Sequence, residues 1–390
     1  MDCNRNGKFQ VGCLTPNSNR TGRNYFAELI QCVDACYLVI GIILVFLRVP
    51  DTADYAPYRK AKYFLASAFF VMFINLYLWL EIFSSQDWEA LNSIIACMDI
   101  SLFFLTCICF AYSFASLLDS QYINKKRMLK DFGYWILTVS ISWISLWEPL
   151  APYAYYLYII STLLFCSIVV RYMFHFQFIY SKKREQLDNY FSDDNMQRFM
   201  YWTKKSLFFL CLLGVFAYLT LFFGIYFNYA YQVYIVSVNL YIVISFINYR
   251  PYYGMLNLAS TVNEEIECYS NQESETSKLE NYENLFGARL QQWVDDKKYL
   301  SSQLTIDSLA AEMGTNKVYL SRYINGKHAV NFSTWITTLR IKEAQVYMLA
   351  HPGATLEEVA YHVGFSSASY FSRVFSRIVK TSPTIWRSNI

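Results

Sequence analysis

The chain has 390 residues, of which 55% are hydrophobic, 19% are aromatic and only 16% are charged. Soluble domains average about 25% charged residues, so this composition argues against one large soluble domain and favours a membrane protein. The net charge of +3 is too small to indicate a nucleic-acid partner for the chain as a whole.

Residues 1–28 form a polar tail without the apolar segment of a cleaved signal peptide. Cys3 and Cys13 lie in this tail, and the two can form a disulfide if the tail is outside the cell. None of the ten cysteines belongs to a CxxC pair or another metal-ligand spacing, and the four histidines lack partners at such a spacing. We therefore expect no metal, no other cofactor and no enzymatic activity.

Residues 29–250 contain seven apolar runs, each near the length of about 20 residues that a helix needs to cross a bilayer. The runs are Leu29–Leu47, Tyr63–Phe83, Ile94–Leu117, Phe132–Leu146, Tyr153–Phe174, Leu207–Phe227 and Tyr231–Tyr249. They predict an all-α fold, with a polytopic transmembrane bundle of about seven spans. The fourth run is the shortest of the seven.

The charges in the connecting loops alternate. The first, third and fifth loops carry several Lys and Arg residues each, whereas the second, fourth and sixth carry none. Positive loops stay in the cytoplasm, so the pattern predicts a multi-pass protein of the cell inner (cytoplasmic) membrane. Its N-terminus is then outside and its C-terminal domain is cytoplasmic.

The fifth loop is long and mixes acidic, basic and aromatic residues between Ile179 and Lys205. It is either a cytoplasmic extension of the neighbouring helices or a contact surface for the C-terminal domain. Residues 251–282 hold six Glu and one Lys among many Ser and Asn residues, which is typical of an acidic linker.

Three acidic residues lie toward the predicted outer ends of the first three spans. They are Asp34, Glu81 and Asp99. Acids within a membrane are costly and are often functional, so these three are candidate sensor residues lining an external pocket. The alternative is that each one reaches the interface or pairs locally.

Residues 283–390 contain an internal repeat at an offset of fifty positions. Thr305, Leu309 and Gly314 recur as Thr355, Val359 and Gly364. In each copy a threonine can cap a helix start, apolar residues recur at helical spacing, and a glycine can end the helix in a left-handed conformation. A second helix begins a few residues later, so each copy predicts a helix-turn-helix unit.

The second copy also carries a longer pattern, from Ala360 to Phe375 and then Ser382-Pro383 and Trp386-Arg387. With Tyr319–Arg322 and Leu339–Ile341 upstream, it resembles the AraC/XylS transcription regulators. Lys380 departs from the family pattern, because a glycine usually precedes the Ser-Pro pair. The resemblance covers about the last quarter of the chain and implies a cytoplasmic, all-helical domain with two helix-turn-helix units.

The resemblance also implies which residues meet DNA, because the second helix of each unit enters the major groove. We expect Leu320, Tyr323 and Ile324 to face inward in the first unit. The predicted DNA-binding residues are Asn316, Lys317, Val318, Ser321 and Arg322 in the first unit and Ser367, Ala368, Ser369, Ser372 and Arg373 in the second. A helix from about Ser333 to Ala350 joins the units.

The sequence thus favours a membrane-embedded, sequence-specific DNA-binding transcription regulator. Its expected partners are double-stranded promoter DNA and the lipid bilayer, with a homodimer and an unidentified ligand left open. An alternative is a membrane transporter or enzyme whose helix-turn-helix tail recruits proteins. A third is a membrane part that anchors the regulator and senses nothing.

Overall fold

The computed structural model describes residues 20–84, 92–192, 195–219, 225–270 and 283–389. Within these residues the chain is helical, and the only strand-like feature is an isolated antiparallel bridge between Phe191 and Thr305. Cys3, Cys13 and residues 271–282 of the predicted linker lie outside the described residues, whereas residues 251–270 of that linker continue a long helix. The chain divides into two compact units, Met1–Tyr180 with Trp202–Pro251 and Ser181–Tyr201 with Tyr252–Ile390.

The described part of the first 270 residues contains seven long helices. They are α1 (Arg20–Phe46), α2 (Ala56–Ser84), α3 (Asn92–Leu118), α4 (Lys125–Ile144), α5 (Ala154–Tyr190), α6 (Asn195–Leu219) and α7 (Ile225–Ser270). In the first unit α2 packs against both α1 and α3, and α3 also packs against α4. The last residues of α5 and of α7 belong to the second unit.

Five stretches in the described residues are long and apolar enough to cross a membrane. They are Ala27–Phe46, Ala53–Ile82, Ser93–Leu118, Ala154–Tyr190 and Tyr226–Asn257. Helices α4 and α6 overlap the fourth and sixth predicted spans, but neither helix is among these five stretches. The count of seven spans therefore stays a prediction.

Polar side chains in the first unit satisfy groups that the helices leave unpaired. The buried Lys62 ammonium donates to the carbonyls of Val45 and Leu47, at 3.1 and 3.2 Å, where α1 ends. A cation at a helix C-terminus pairs with carbonyls that have no partner in the next turn. The Tyr58 hydroxyl likewise donates to the Phe246 carbonyl at 2.6 Å and ties α2 to α7.

Asp131, Arg171 and Tyr112 form a polar cluster between α3, α4 and α5, in which Asp131 and Tyr112 are buried and Arg171 is half-buried. The carboxylate of Asp131, 3% exposed, pairs with the Arg171 guanidinium and accepts a hydrogen bond of 2.9 Å from the Tyr112 hydroxyl. The position of Arg171, at the inner end of the fifth predicted span, favours a side chain that reaches toward the membrane interface. The structure instead shows that Arg171 of α5 forms an ion pair with Asp131 of the preceding helix α4.

The described residues of the second compact unit contain seven shorter α-helices after residue 283. They are α8 (Ala288–Asp295), α9 (Ile306–Met313), α10 (Lys317–His328), α11 (Phe332–Ala350), α12 (Leu356–His362), α13 (Ala368–Val379) and α14 (Pro383–Ser388). Helix α11 contacts both recognition helices, α10 and α13. The predicted connecting helix is thus confirmed, with its start at Phe332 capped by the Asn331 side chain.

Helix α8 packs on the first helix-turn-helix unit. The Trp293 ring stacks on Trp335 with centroids 6.2 Å apart, and its indole nitrogen donates to the Glu312 carboxylate at 2.9 Å. Glu312 also accepts from the Lys298 ammonium at 2.6 Å, and this hydrogen bond is the main reason that the pKa of Glu312 is lowered. These contacts extend the domain upstream of the internal repeat.

Candidate nucleic-acid interface

The two halves of the C-terminal repeat fold as two helix-turn-helix units. In the first, Thr305 caps α9 in a capping box with Ser308, and Gly314 ends the helix with φ of +64°. In the second, Thr355 caps α12 in a capping box with Glu358. These side chains satisfy amides that a helix start leaves unpaired, as the sequence predicted.

Each recognition helix begins after a capping residue, and the spacing of these two caps differs by one residue from the spacing of the preceding helices. The Asn316 carbonyl oxygen accepts from the Tyr319 amide at 2.9 Å, and the Ser367 hydroxyl accepts from the Tyr370 amide at 3.3 Å. The caps are 51 residues apart, whereas Thr305 and Thr355 are 50 apart, so the second turn is one residue longer. Equivalent positions in α10 and α13 are therefore related by 51.

The second turn requires glycine at residue 364. Its φ is +81°, and a Cβ added there would lie 2.2 Å from the Leu300 carbonyl oxygen. No side chain fits so close to a backbone atom, so the turn brings α12 and α13 against the segment before α9. This fixed approach sets how the second recognition helix is presented.

The second recognition helix presents most of its predicted DNA-binding residues. Ser369 and Arg373 are exposed, and Ser367, Ala368 and Ser372 are half-buried. The opposite face of α13 packs into the core through Tyr370, Phe371, Val374 and Phe375. By helical geometry these buried side chains cover an arc of about 140° around the helix, which leaves a broad face open.

The first recognition helix is covered more extensively. Leu320, Tyr323 and Ile324 are buried as expected, but Val318 and Ser321 are also buried, at 4% and 3% exposure. The predicted outward orientation of Val318 and Ser321 is therefore wrong for this conformation. The five buried side chains cover an arc of about 220°, so α10 is enclosed well beyond one face.

The remaining predicted residues of the first unit differ in exposure. Asn316 is exposed, Lys317 and Arg322 are half-buried, and the Lys317 ammonium lies 3.9 Å from the Asp307 carboxylate. Nη2 of Arg322 is buried and has no hydrogen-bond partner in the described part of the chain. Sequence reasoning missed Tyr319, which is 40% exposed and lies three residues after the cap, on the open side of α10.

The three candidate sensor acids have different surroundings. Asp34 is buried, and its Oδ1 has no hydrogen-bond partner among the described residues. Asp99 is half-buried and accepts from the Asn75 amide at 3.0 Å. Glu81 is exposed. A pocket shared by the three acids stays a prediction.

Part of the predicted fifth loop belongs to the same compact unit as the helix-turn-helix units. At the end of α5, the Tyr190 hydroxyl donates to the Asp307 carboxylate at 2.6 Å. The amide and hydroxyl of Ser192 both donate to the Leu304 carbonyl, at 3.2 and 2.8 Å. Each of the two interpretations of this loop agrees with the structure in part. The neighbouring helices extend into it, to Tyr190 and from Asn195, and residues 190–192 contact the C-terminal domain.

Comparison with known protein families identifies the C-terminal region. A family model described as a helix-turn-helix domain matches residues 309–389. Residues 309–389 are a helix-turn-helix domain of the AraC/XylS type. The predicted resemblance is thereby confirmed for this region, whereas the match does not extend to the long apolar helices.

Curated relatives match the same region at low identity. The regulatory protein PocR of Salmonella typhimurium strain LT2 is 26% identical over 92 residues, which are 24% of this chain and 30% of PocR. The HTH-type transcriptional activator RhaS of Escherichia coli O157:H7 is 28% identical over 91 residues, 23% of this chain and 32% of RhaS. The Msm operon regulatory protein of Streptococcus mutans is 28% identical over 98 residues, 24% of this chain and 35% of the relative.

The chain thus matches about a third of the length of these relatives. No solved structure matches the chain with significance.

Proposed function

We propose that the chain is a membrane-embedded transcription regulator that binds promoter DNA through its C-terminal domain. The observation that carries this proposal is the open face of α13, where Ser369 and Arg373 are exposed near the start of a recognition helix. In helix-turn-helix proteins these early, outward side chains meet the base edges in the major groove.

The chemistry of this face suits a DNA contact. An arginine such as Arg373 can donate two hydrogen bonds to O6 and N7 of guanine, and a serine such as Ser369 can contact several bases. The start of α13 is also a favourable place for a phosphate, because helix N-termini present unpaired amides. The second unit therefore combines a base contact with a backbone contact on one surface.

The membrane part of the proposal rests on the five long apolar stretches and on their surfaces. Several large apolar side chains on these helices are exposed, among them Ile43, Leu163 and Phe174 at 48%, 63% and 75%. Soluble proteins rarely expose apolar patches of this kind, whereas lipid-facing helices do. The distribution of Lys and Arg supports an external N-terminus and a cytoplasmic DNA-binding domain.

A sensing role is the further part of the proposal. A signal can change DNA binding only if it binds two conformations of the chain with different affinity. Asp34 supports such a role, because a buried carboxylate oxygen without a partner is costly and would gain from a donor. If Asp34 and Asp99 sense a signal, Asp34→Asn with Asp99→Asn locks promoter output at one level, whereas unchanged modulation of that output excludes both residues.

A DNA selection with the full-length protein tests the function. The protein, reconstituted in lipid vesicles, is incubated with a random pool of double-stranded oligonucleotides, and bound DNA is recovered with the vesicles. We expect a defined motif to be enriched by the wild type and by Arg377→Ala, an exposed position in the last turn of α13. Recovery of the protein with vesicles but without any enriched motif would favour a protein-recruiting tail instead.

A further inference from the structure

The end of α5 binds to the start of the first helix-turn-helix unit through a compact set of contacts. Tyr190, Phe191 and Ser192 are 5%, 7% and 1% exposed, so all three are buried in the compact unit that contains the C-terminal domain. Tyr190 bonds Asp307, Phe191 forms the antiparallel bridge to Thr305, and Ser192 bonds the Leu304 carbonyl twice. We call Tyr190–Ser192 the docking segment.

A fully buried arginine of the connecting helix supports the docking segment from the other side. Arg340 of α11 is 0% exposed and reaches the Ser192 hydroxyl at 3.4 Å, while it also donates to the carbonyls of Tyr299 and Ser301. The docking segment therefore contacts two elements, the first turn of α9 and the middle of α11. A segment held only by its chain connection would not be buried in this way.

Asp307 links the docking segment to the first recognition helix. One oxygen of its carboxylate accepts from Tyr190, and the other lies 3.9 Å from the ammonium of Lys317, the first residue of α10. A residue at the start of the recognition helix thus shares its acidic partner with the docking segment. Release of Tyr190 would change the surroundings of Lys317 directly.

Comparison of the two halves of the repeat shows that the first helix-turn-helix unit is closed in this docked conformation, in the sense that early side chains of its recognition helix are buried. Val318 and Ser321 of α10 are buried, whereas Ser369 and Ser372, at the equivalent positions of α13, are exposed and half-buried. A helix-turn-helix unit must bring these early side chains to the major groove. The second helix-turn-helix unit can meet DNA as it stands, whereas the first must open to expose the side chains of α10.

We propose that the docking segment stabilises the closed form of the first helix-turn-helix unit and thereby weakens DNA binding by the whole chain. This inference rests on the proposed DNA-binding function. Because Tyr190 is the last residue of α5, and α5 contains a candidate membrane span, a change in that helix can release the segment. The device converts an event in the membrane part into opening of the first unit.

Weakening the dock tests the inference in the full-length protein in lipid vesicles. Tyr190→Phe with Ser192→Ala removes the hydroxyl hydrogen bonds of the docking segment and keeps a buried aromatic ring at residue 190. With an oligonucleotide selected by the wild type as probe, we expect Kd to fall by on the order of fivefold or more. Tyr156→Phe is the matched control, because Tyr156 is on α5 and 63% exposed, and it should leave Kd unchanged. An unchanged or higher Kd in the double variant would overturn the inference.

Locking the dock provides a second measurement in the opposite direction. Residues paired across an antiparallel bridge have Cα atoms about 4.5–5.5 Å apart, which a disulfide can span. Phe191→Cys with Thr305→Cys should crosslink on oxidation and then bind the probe on the order of fivefold more weakly, with full recovery on reduction. Each single cysteine variant should show no such response.

The outcomes separate the two proposals. Failure of the pair to crosslink, or equal affinity of the crosslinked and reduced proteins, overturns the docking inference while DNA binding by the wild type stands. A wild type that selects no DNA overturns the proposed function, and the docking inference with it.

Discussion

Arg340 donates from Nε to the Tyr299 carbonyl at 2.8 Å and from Nη2 to the Ser301 carbonyl, although its side chain is completely buried. The guanidinium joins the connecting helix α11 to the segment between α8 and α9. A charged donor stabilises such carbonyls more than a neutral one does, since each bond to a charged group contributes about 1.5–3 kcal/mol.

Arg340→Met should therefore lower the free energy of unfolding of the C-terminal domain by about 3 kcal/mol, because the carbonyls of Tyr299 and Ser301 lose their charged donor. Resistance of this domain to proteolysis at increasing urea concentration, in the full-length protein, measures the effect. Arg377→Met, on the exposed surface of α13, serves as the control and should behave as the wild type. Equal resistance of the two variants would contradict a structural role for Arg340.

Gly364 provides a prediction with a matched control. An alanine Cβ at residue 364 would meet the Leu300 carbonyl oxygen at 2.2 Å in a left-handed backbone, whereas nothing lies within 4 Å of a Cβ at Gly353. Gly364→Ala should destabilise the domain by about 3 kcal/mol or more, and Gly353→Ala should change its stability by about 1 kcal/mol or less. The same urea and proteolysis measurement compares them, and similar values for both would show that the turn adapts.

The two recognition arginines should read base pairs in different half-sites. Arg373→Ala should cost about 1–3 kcal/mol and relax the preference at one base pair, because Arg373 is exposed on an open recognition helix. Arg322→Ala should do the same in the other half-site once the first unit opens. Lys298→Ala, which breaks an ion pair with Glu312, is the control and should leave the preference unchanged. A uniform loss across all sequences from both arginine variants would indicate phosphate contacts instead.

The orientation in the membrane can be checked with a reporter that is active only in the cytoplasm. Fusions after Tyr122, Asp188 or Ile390 should be active, and fusions after Asp87 or Glu148 should be silent, because Lys and Arg accumulate in the odd loops. An active fusion after Asp87 would rule out the alternating seven-span topology.

The Asp131–Arg171 pair should matter more when it is broken than when it is removed. Asp131→Asn leaves the Arg171 guanidinium without its carboxylate and should cost on the order of 1–3 kcal/mol, since only the Asp131 end of the pair is buried. The double variant Asp131→Leu with Arg171→Leu should recover much of that loss, because no unpaired charge remains. Thermal unfolding of the protein in detergent measures both, and a double variant less stable than the single one would show that the pair itself is favourable.

The sequence predicted the local features of the C-terminal domain well and its covered surfaces poorly. Thr305, Thr355 and Gly314 act as expected, because caps and left-handed turns depend on a few neighbouring residues. The burial of Val318 and Ser321 was not predicted, because it depends on how the neighbouring helices pack around α10. No periodicity within α10 records such packing.

The long helices show a similar division. Hydropathy located all seven helices, yet it did not indicate that Asp131 pairs with Arg171 forty residues away. The docking segment was only one of two interpretations of the fifth loop, because a mixed stretch of aromatic and charged residues does not specify its partner. Contacts between distant segments required the structure.

Genome-wide footprinting of the intact protein, beside Arg373→Ala at matched abundance, tests whether the chain binds promoter DNA in the cell. We expect discrete protected promoter sites for the wild type, each with two half-sites about 34 Å apart on one face of the DNA. In the variant, protection should weaken in one half-site. Absence of protected sites for a wild-type protein that is abundant and present in the membrane would contradict promoter binding.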